Sequence, residues 1–479
     1  MSTNQKSPIN LPEIIHHLSR YLRQQDVLRC LFVSKDWHKA FLPFLWGQVL
    51  LKKPLPSNIQ RYHHMINSLT INTLPEAFNI QYPNLRSLSL GYEWSCYDLL
   101  SLPGNDGNTD VANLILINPK ISTLKLFPRD GRINESILQS ASELQDLERM
   151  TLFYARFTPG DDINVFWRAC RNLKKLRLQG TKFARDTQAP EYVREFGIRI
   201  LKIEKATGMS EANQLELISR CPRLEELVWL EPQPSSAGKD FVQRIAQGNP
   251  WPNLRRLTMN SCMSDDEVEK ILIEMKELTH LELQQASFGP HASTALLEHH
   301  LETLVELNLR SCYRATSSTF RDVLCSCPQL EVLTGPKILA NDIAQSEPWA
   351  CLSLKVFQIN VEFKESEHGD KELQSSVFKQ LSRLPKLTEL YVGKEAINGT
   401  TRYPGLDFRL EYGMDQLENL KDLRYFSFRN TMQVLGEEDI EWMTSHWTKL
   451  ELVSGLLHTD TEKTIELRNI LRKYDIGGV

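Results

Sequence analysis

A six-residue pattern, Leu-x-x-Leu-x-Leu with Ile, Val, Met or Phe replacing some leucines, recurs along most of the chain. About 14 to 15 copies lie between residues 66 and 458, and from Ile121 to Leu354 their starts are 24 to 30 residues apart. The copies begin at Ile66, Leu85, Ile121, Leu147, Leu173, Ile198, Leu224, Leu254, Leu278, Leu304, Leu330, Leu354, Leu387, Leu423 and Leu450. Such a period is typical of repeat architectures, in which each copy forms one structural unit.

Within a copy, apolar residues at the fourth and sixth positions alternate with mostly polar ones, which predicts a β-strand with one buried face. The segments between copies, such as residues 264–275, instead repeat apolar residues at helical spacing, and prolines such as Pro222 and Pro328 mark helix ends. Each copy is therefore predicted to be a strand followed by a helix, and the fold class is α/β. Residues at the third, fifth and seventh positions are expected on the opposite face of the sheet.

Residues 10–50 lack this pattern and have helical periodicity, so they are predicted to form a separate module of three short helices. Asp26 and Ser34 are predicted to cap the second and third helices. The apolar side chains assigned to these helices are Ile14, Ile15, Leu18, Leu22, Val27, Leu28, Leu31, Trp37 and Phe41. A module of about 40 residues is too small to bury all its apolar side chains, so we expect an apolar patch on its surface.

Length and composition limit the classes of protein to which this chain can belong. A length of 479 residues favours several domains or an elongated array, and 41% hydrophobic residues exclude wholesale disorder. No apolar run is long enough to cross a membrane, and the first ten residues are polar without the features of a secretory signal. Nine cysteines, an odd number, favour reduced thiols in the cytoplasm or nucleus. A net charge of −4 and a pI near 6.3 predict no nucleic-acid partner.

The repeated pattern resembles the leucine-rich repeat over roughly residues 66–458. The sequences that end at Cys262 and Cys312 look like its cysteine-containing subtype. This resemblance implies a horseshoe-shaped solenoid, with a parallel sheet on the concave face and helices outside. It also implies that Cys262 and Cys312 are small buried side chains at the turn after a strand, and metal ligation is not expected.

The N-terminal module resembles the F-box through Leu11-Pro12, Leu28, Val33 with Trp37, and Leu45-Trp46. The combined architecture is that of an F-box protein with leucine-rich repeats, a family of substrate receptors of SCF ubiquitin ligases. The resemblance implies that the module binds the Skp-family adaptor and, through it, a cullin-RING ligase. The residues that it places at or directly behind this interface are Leu11, Pro12, Ile14, Leu28, Val33, Trp37, Leu45 and Trp46. Alternatively, these side chains only form the core of the three helices.

Basic and aromatic residues gather on the predicted concave face of the early repeats. They are Lys125, Phe127, Arg149, Phe153, Lys175, Arg177 and Lys202, and His280 and Arg310 follow in later repeats. A row of like charges on adjacent strands focuses positive potential, so these residues predict a client-binding site for an acidic or phosphorylated protein segment. The alternative interpretation is an ordinary solvated sheet face.

The sequence contains none of the motifs of nucleotide-binding loops, dinucleotide-binding turns, zinc proteases or serine hydrolases. We therefore expect a protein that is not an enzyme and needs no cofactor or metal. The predicted organisation is a flexible tail (1–9), the F-box (10–50), a linker helix or first-repeat cap (51–65), the repeats (66–458) and a C-terminal capping helix (459–479). The predicted function is client recognition for an SCF ligase. An adaptor-bound scaffold without ubiquitin transfer, or a leucine-rich-repeat enzyme regulator, remain alternatives.

Overall fold

The computed structural model describes residues 12–51, 58–71, 79–91, 107–128, 131–158, 163–184, 187–233, 237–312, 314–364, 367, 370–393 and 403–478. The predicted N-terminal tail lies outside these ranges. The chain divides into two compact units, Met1–Leu224 and Glu225–Val479. In the described part of the chain, no helix combines the length and the apolar character required to cross a bilayer.

The first unit contains a parallel sheet that begins directly after the N-terminal helices. Its strands are β1 Gln48–Leu51, β2 Ser68–Ile71, β3 Ser87–Leu90, β4 Thr123–Leu126, β5 Arg149–Phe153, β6 Lys175–Gln179 and β7 Ile200–Glu204. Each strand pairs in parallel with the next one in the chain. Strand β1 lies outside the repeated pattern, so the sheet starts earlier than the first motif copy predicts.

The helices of the first unit are α1 Pro12–Ser19, α2 Gln24–Cys30, α3 Lys35–Gly47, α4 Ile59–Tyr62, α5 Gly107–Leu116, α6 Glu135–Ser142, α7 Ile163–Cys170 and α8 Glu211–Ser219. The three predicted helices of the N-terminal module are α1 to α3. The predicted cap at Ser34 is confirmed, since its hydroxyl accepts a 3.1 Å hydrogen bond from the backbone N–H of Trp37. The predicted cap at Asp26 is wrong, because α2 begins two residues earlier and its N-cap residue is Arg23.

The second unit contains a parallel sheet of the same kind. Its strands are β8 Glu226–Leu230, β9 Arg256–Asn260, β10 His280–Gln284, β11 Glu306–Ser311, β12 Val332–Leu339, β13 Val356–Glu362, β14 Glu389–Tyr391, β15 Tyr425–Ser427, β16 Leu452–Ser454 and β17 Gly477–Gly478. Its helices are α9 Ala237–Ala246, α10 Asp265–Glu274, α11 Pro290–His300, α12 Ser317–Ser326, α13 Ala340–Ala344, α14 Lys371–Leu381, α15 Glu437–His446 and α16 Thr461–Lys473. The last strand follows α16, so the sheet continues past the last motif copy.

The motif fixes the strand register. Each of the strands β2 to β16 begins two residues after the first residue of one motif copy. Fourth- and sixth-position side chains are buried against the helical layer, as Leu176 and Leu178 of β6 illustrate, while the residues between them are half-buried. The predicted α/β leucine-rich-repeat solenoid is thus the fold, and we call the sheet surface opposite the helices the open face.

A left-handed residue ends several strands. Tyr154, Gly180 and Lys205 each directly follow a strand of the first unit and have φ values of 53°, 60° and 55°. A Cβ atom added to Gly180 would lie 2.5 Å from the Tyr154 ring, so a side chain there would have to displace that ring. The same turn geometry therefore recurs where successive repeats leave the sheet.

The two motif cysteines differ in burial. Cys312 is buried, as predicted, and its thiol donates a 3.2 Å hydrogen bond to the carbonyl oxygen of Leu283. The prediction for Cys262 is wrong, because its side chain is exposed. The reason is an irregularity in β11, which contains one more residue than β10 between two paired positions. The buried counterpart of Cys312 is consequently Ser261, one residue before Cys262.

Candidate protein-binding surfaces

The N-terminal module has a small core of its own. Ile15 of α1, Val27 of α2 and Phe41 of α3 are buried together with Leu31, which directly follows α2. Partly buried apolar side chains pack against them: Leu22, Cys30, Trp37, Ala40, Leu42, Phe44 and Leu45. The module therefore closes around its centre and leaves its other apolar side chains at the surface.

Three apolar side chains at the end of α2 are among those left at the surface. Leu28, Phe32 and Val33 are 46%, 84% and 62% exposed, and we call them the α2 patch. Leu28 and Phe32 are four residues apart and lie on the same side of the helical turn. Backbone hydrogen bonds of 3.1 and 3.2 Å, from Phe32 to Arg29 and from Val33 to Cys30, continue α2 by one turn and hold the patch in place.

The patch includes two of the predicted adaptor-binding residues and one that sequence reasoning missed. Leu28 and Val33 were assigned from the F-box resemblance, but Phe32 was not, although it is the most exposed of the three. The signal was available, since Phe32 follows Leu28 at helical spacing and lies next to Val33 in the sequence.

The other predicted adaptor-binding residues have different surroundings. Trp37 packs on Phe41 with ring centroids 5.2 Å apart, and Leu45 packs against the module core. Ile14 is half-buried in α1. Pro12 begins α1, whereas Leu11 lies outside the described residues. An adaptor-binding role for these residues stays a prediction.

The end of α3 attaches the module to the sheet. The backbone N–H of Asn67, just before β2, donates a 3.0 Å hydrogen bond to the carbonyl oxygen of Gly47. Trp46, the last predicted adaptor-binding residue, stacks on Tyr62 beyond the first strand. The module is therefore joined to the first strands by packing and hydrogen bonding as well as by the chain.

A groove of about 700 Å³ runs along the open face of the first unit. Its lining residues are Asn67, Ser68, Arg86, Ser87, Ser122, Thr123, Lys125, Phe127, Arg149, Thr151, Phe153, Lys175, Arg177 and Lys202. All seven predicted client-binding residues of the first unit are among them. None of the described residues that line the groove is acidic.

Strand register arranges the basic side chains in two rows. Arg149 pairs with Lys175 in the first row, at the third motif position. In the second row, at the fifth position, Lys125 and Arg177 flank Thr151, and Arg177 pairs with Lys202. Neighbouring strands are about 4.8 Å apart, so these side chains form one cluster around Thr151.

An aromatic pair and an ion pair border this cluster. The rings of Phe127 and Phe153 stack with centroids 4.1 Å apart, which leaves Phe153 only 5% exposed. The guanidinium of Arg177 lies 5.3 Å from the Phe153 ring centroid and donates hydrogen bonds of 2.5 and 3.2 Å to the carboxylate of Glu204. Sequence reasoning missed Glu204, although it occupies the seventh motif position of its copy.

The two remaining predicted client-binding residues belong to the second unit and do not line the groove. His280 in β10 lies 3.8 Å from Glu306, and the hydroxyl of Thr279 is 2.8 Å from its Nδ1 atom. Burial, followed by the charge of Arg256, lowers the pKa of His280. Burial also lowers the pKa of Arg310. Their role in client binding stays a prediction.

Asp266, Glu269 and His291 form a group in which three potential metal ligands lie within 4.8 Å of one another. His291 and Asp266 are exposed and are joined by a 2.9 Å hydrogen bond. This hydrogen bond, with neighbouring carboxylates, raises the pKa of His291. Asp266 and His291 therefore interact as an exposed pair at the protein surface.

No protein-family profile and no curated protein matches the sequence. Solved structures with similarity include an LRR protein of Leptospira interrogans, at 14% identity and a TM-score of 0.35, with 89% of this chain and 93% of that chain covered. Another is the complex of Rad7 and Elc1 in yeast, at 12% identity and a TM-score of 0.42, with coverage of 95% and 85%. An internalin of Listeria monocytogenes has 14% identity, a TM-score of 0.34 and coverage of 78% and 88%. Similarities this low carry no inference about the partners of this chain.

Proposed function

We propose that this protein is the substrate-recognition subunit of an SCF-type cullin-RING ubiquitin ligase in the cytoplasm or nucleus. The N-terminal module binds the Skp-family adaptor, and the open face of the repeats binds a client protein. The chain has no catalytic role of its own in this proposal. It accelerates ubiquitin transfer by raising the effective concentration of the client near the ubiquitin-loaded enzyme.

The α2 patch is the observation that carries this proposal. Leu28, Phe32 and Val33 are large apolar side chains on a module whose own core is already closed. Each square ångström of apolar surface that a partner covers stabilises the complex by about 25 cal/mol, so the patch is a favourable docking point. Leu28 and Val33 are also the positions that the F-box pattern assigns to adaptor binding, which supports a Skp-family partner.

The open face supports the second half of the proposal. Leucine-rich-repeat sheets are scaffolds for protein binding, because strand side chains on one face form an extended and readily varied surface. Here that face provides a groove lined by basic, aromatic and hydroxyl side chains. These groups suit a polypeptide that bears negative charge.

Co-purification of the full chain with a Skp-family adaptor and a cullin tests the proposal. Leu28→Glu combined with Val33→Glu should weaken adaptor binding at least tenfold, because it places two charges in an apolar interface. Ile273→Glu combined with Leu352→Glu is the matched control, since these two side chains are 46% and 51% exposed and lie outside the module. An unmodified chain that fails to bind the adaptor, or a double variant that binds as well as the control, would refute adaptor docking.

A second measurement concerns ubiquitin transfer. Proteins that co-purify with the chain should accumulate when cullin neddylation is inhibited, and the reconstituted complex should ubiquitinate them. Adaptor binding without any cullin would contradict the ligase role and favour the scaffold. A chain that binds and inhibits an enzyme without the adaptor would favour the regulator.

A further inference from the structure

A second, shorter row of paired backbone segments lies beyond the strand ends of the first unit. One residue from each of four successive repeats contributes to it, and each pairs in parallel with the next: Arg132, Arg156, Lys182 and Thr207. We call these four positions the rim ladder. Lys182 donates a 2.6 Å backbone hydrogen bond to Ala155 and accepts one of 2.8 Å from Phe157. Ala155 and Phe157 are buried, so the ladder is anchored and its own side chains point outwards.

Cationic side chains occupy three of the four ladder positions. Arg132, Arg156 and Lys182 are exposed, and neighbouring positions are about 4.8 Å apart. In the part of the chain that the structure describes, Arg156 and Lys182 form no ion pair. Like charges directly opposite each other destabilise neighbouring strands. The row is therefore unfavourable for folding and suits an anion outside the chain.

An exposed aromatic ring lies next to the rim ladder. Tyr154 precedes Arg156 by two residues and is 59% exposed. Its ring lies over Gly180, the residue that follows the next strand, and thereby has support on one side. Lys205 occupies the same turn position one repeat further on, is exposed, and has no ion-pair partner among the described residues. The rim thus combines a supported aromatic surface with unpaired cations.

The two units of the chain carry opposite charge. Residues 1–224 contain 29 Lys and Arg and 21 Asp and Glu, which gives a formal net charge of +8. Residues 225–479 contain 27 and 39, which gives −12. The overall charge of −4, which predicted no nucleic-acid partner, is therefore an average over two different surfaces. The field of the first unit attracts polyanions.

The aromatic ring decides which class of polyanion fits best. An acidic peptide uses the cations and leaves the ring without a function, and a duplex keeps its bases stacked inside. A single strand offers phosphates to the cations and an unstacked base to the ring. The four ladder positions span about 14 Å, which matches about four nucleotides at 3.4 Å each.

We propose that the rim of the first unit binds single-stranded nucleic acid, with phosphates on Arg156, Lys182 and Lys205 and a base stacked on Tyr154. This site goes beyond the proposed function and does not depend on it. It is also separate from the groove of the open face, whose lining includes none of these four residues. RNA and DNA share the phosphates and the bases, and they differ in the 2′-hydroxyl group.

Fluorescence anisotropy with the purified full chain tests the proposal. The labelled probes are a 12-nucleotide oligouridylate, a 12-nucleotide oligothymidylate, a 12-base-pair DNA duplex and a 12-residue oligoglutamate peptide. Both single strands should bind at least about tenfold more tightly than the duplex and the peptide. The tighter of the two single strands identifies the preferred sugar. Equal or tighter binding of the duplex or of oligoglutamate would overturn the proposal.

Salt dependence measures the phosphate contacts. Arg156→Gln combined with Lys182→Gln should weaken oligouridylate binding about tenfold. It should also reduce the slope of log affinity against log salt concentration by about 1.4, or about 0.7 for each lost contact. Lys120→Gln combined with Arg171→Gln is the matched control, since it removes equal charge from exposed positions just before strands of the same unit. An unchanged slope in the rim variant, or an equal reduction in the control, contradicts the site.

Tyr154 provides a second variant that removes no charge. Tyr154→Ala should weaken oligouridylate binding about fivefold or more and leave the salt slope unchanged, because only stacking is lost. Tyr154→Phe retains the ring and should retain the affinity. Thermal unfolding of both variants confirms that they are folded. An unaffected Tyr154→Ala variant, or an equal loss in Tyr154→Phe, would show that no base stacks on this ring.

The groove is basic as well, so a further variant separates the two surfaces. Arg149→Gln combined with Lys175→Gln should reduce oligouridylate affinity less than about threefold, because it weakens only the general field of the unit. A larger loss than in the rim variant would move the site into the groove and overturn the assignment. The assay contains neither adaptor nor ligase. Failure of adaptor docking therefore leaves a positive oligonucleotide result intact, and absence of oligonucleotide binding leaves adaptor docking intact.

Discussion

Trp46 and Tyr62 stack with ring centroids 4.7 Å apart and an interplanar angle of 28°. Trp46 is the penultimate residue of α3, and Tyr62 ends α4, which lies between the first two strands. The stack thus links the N-terminal module to the beginning of the sheet. Because β1 follows α3 without an intervening loop, a movement of the module would also displace the first strand.

We expect Trp46→Ala to lower the free energy of unfolding of the first unit by about 2 kcal/mol, since it removes both the stacked ring and its apolar contacts. Urea denaturation followed by circular dichroism measures the change. Tyr62→Phe keeps the ring and should change stability by less than about 0.5 kcal/mol. Equal stability of Trp46→Ala and the unmodified chain would show that the stack does not hold the junction.

The motif predicted strand positions well because each strand depends on local alternation and on neighbours with the same pattern. The offset of two residues between motif start and strand start holds from β2 to β16. The burial of Cys262 could not be predicted in the same way, since it depends on an extra residue in β11, two strands away. Local patterns determine register only where no irregularity intervenes.

In the candidate sites, too, some properties follow from the local sequence pattern and others depend on distant parts of the chain. Motif position placed the seven basic and aromatic residues on the open face, and the groove contains them all. The pairing of Arg177 with Glu204 depends on the register between β6 and β7. The helical spacing of Phe32 and Leu28 indicates a shared face, but the 84% exposure of Phe32 depends on which side of α2 packs against the module core. Neither property is visible in one segment of sequence.

Asp265 caps a helix of the neighbouring repeat. Its carboxylate accepts hydrogen bonds of 2.7, 3.0 and 3.0 Å from the backbone N–H groups of Gly289, His291 and Ala292 at the start of α11. Gly289 is the N-cap residue of α11 and has no side chain of its own to do so. Asp265→Ala should therefore lower the free energy of unfolding of the second unit by about 2 kcal/mol.

Asp266→Ala is the control for this change. It removes the same charge from the next residue, but Asp266 makes only an exposed ion pair with His291, so the loss should stay below about 1 kcal/mol. Urea denaturation of both variants measures the difference. Equal losses would mean that general charge effects, and not the cap, account for the contribution of Asp265.

Alkaline pH should destabilise the second unit through its buried thiols. Burial raises the pKa of Cys312 to about 12 from an ordinary value of 9.0, and Cys327 and Cys351 are raised to about 12 as well. Below pH 9 the thiols are protonated in both states, so this stabilisation is fully present. Between pH 9 and 12 the unfolded chain loses protons that the folded chain keeps, and stability falls.

Each thiol should contribute a slope of up to about 1.4 kcal/mol per pH unit in this range. Urea denaturation at pH 8, 9.5 and 11 measures the slope. Cys312→Ala should make this slope shallower by the contribution of one thiol, up to about 1.4 kcal/mol per pH unit. The variant should also be less stable at every pH, because the substitution leaves a cavity. Cys262→Ala is the matched control, since it replaces an exposed cysteine of the same motif position. An identical slope in both variants would show that Cys312 ionises as readily in the folded protein as in the unfolded chain.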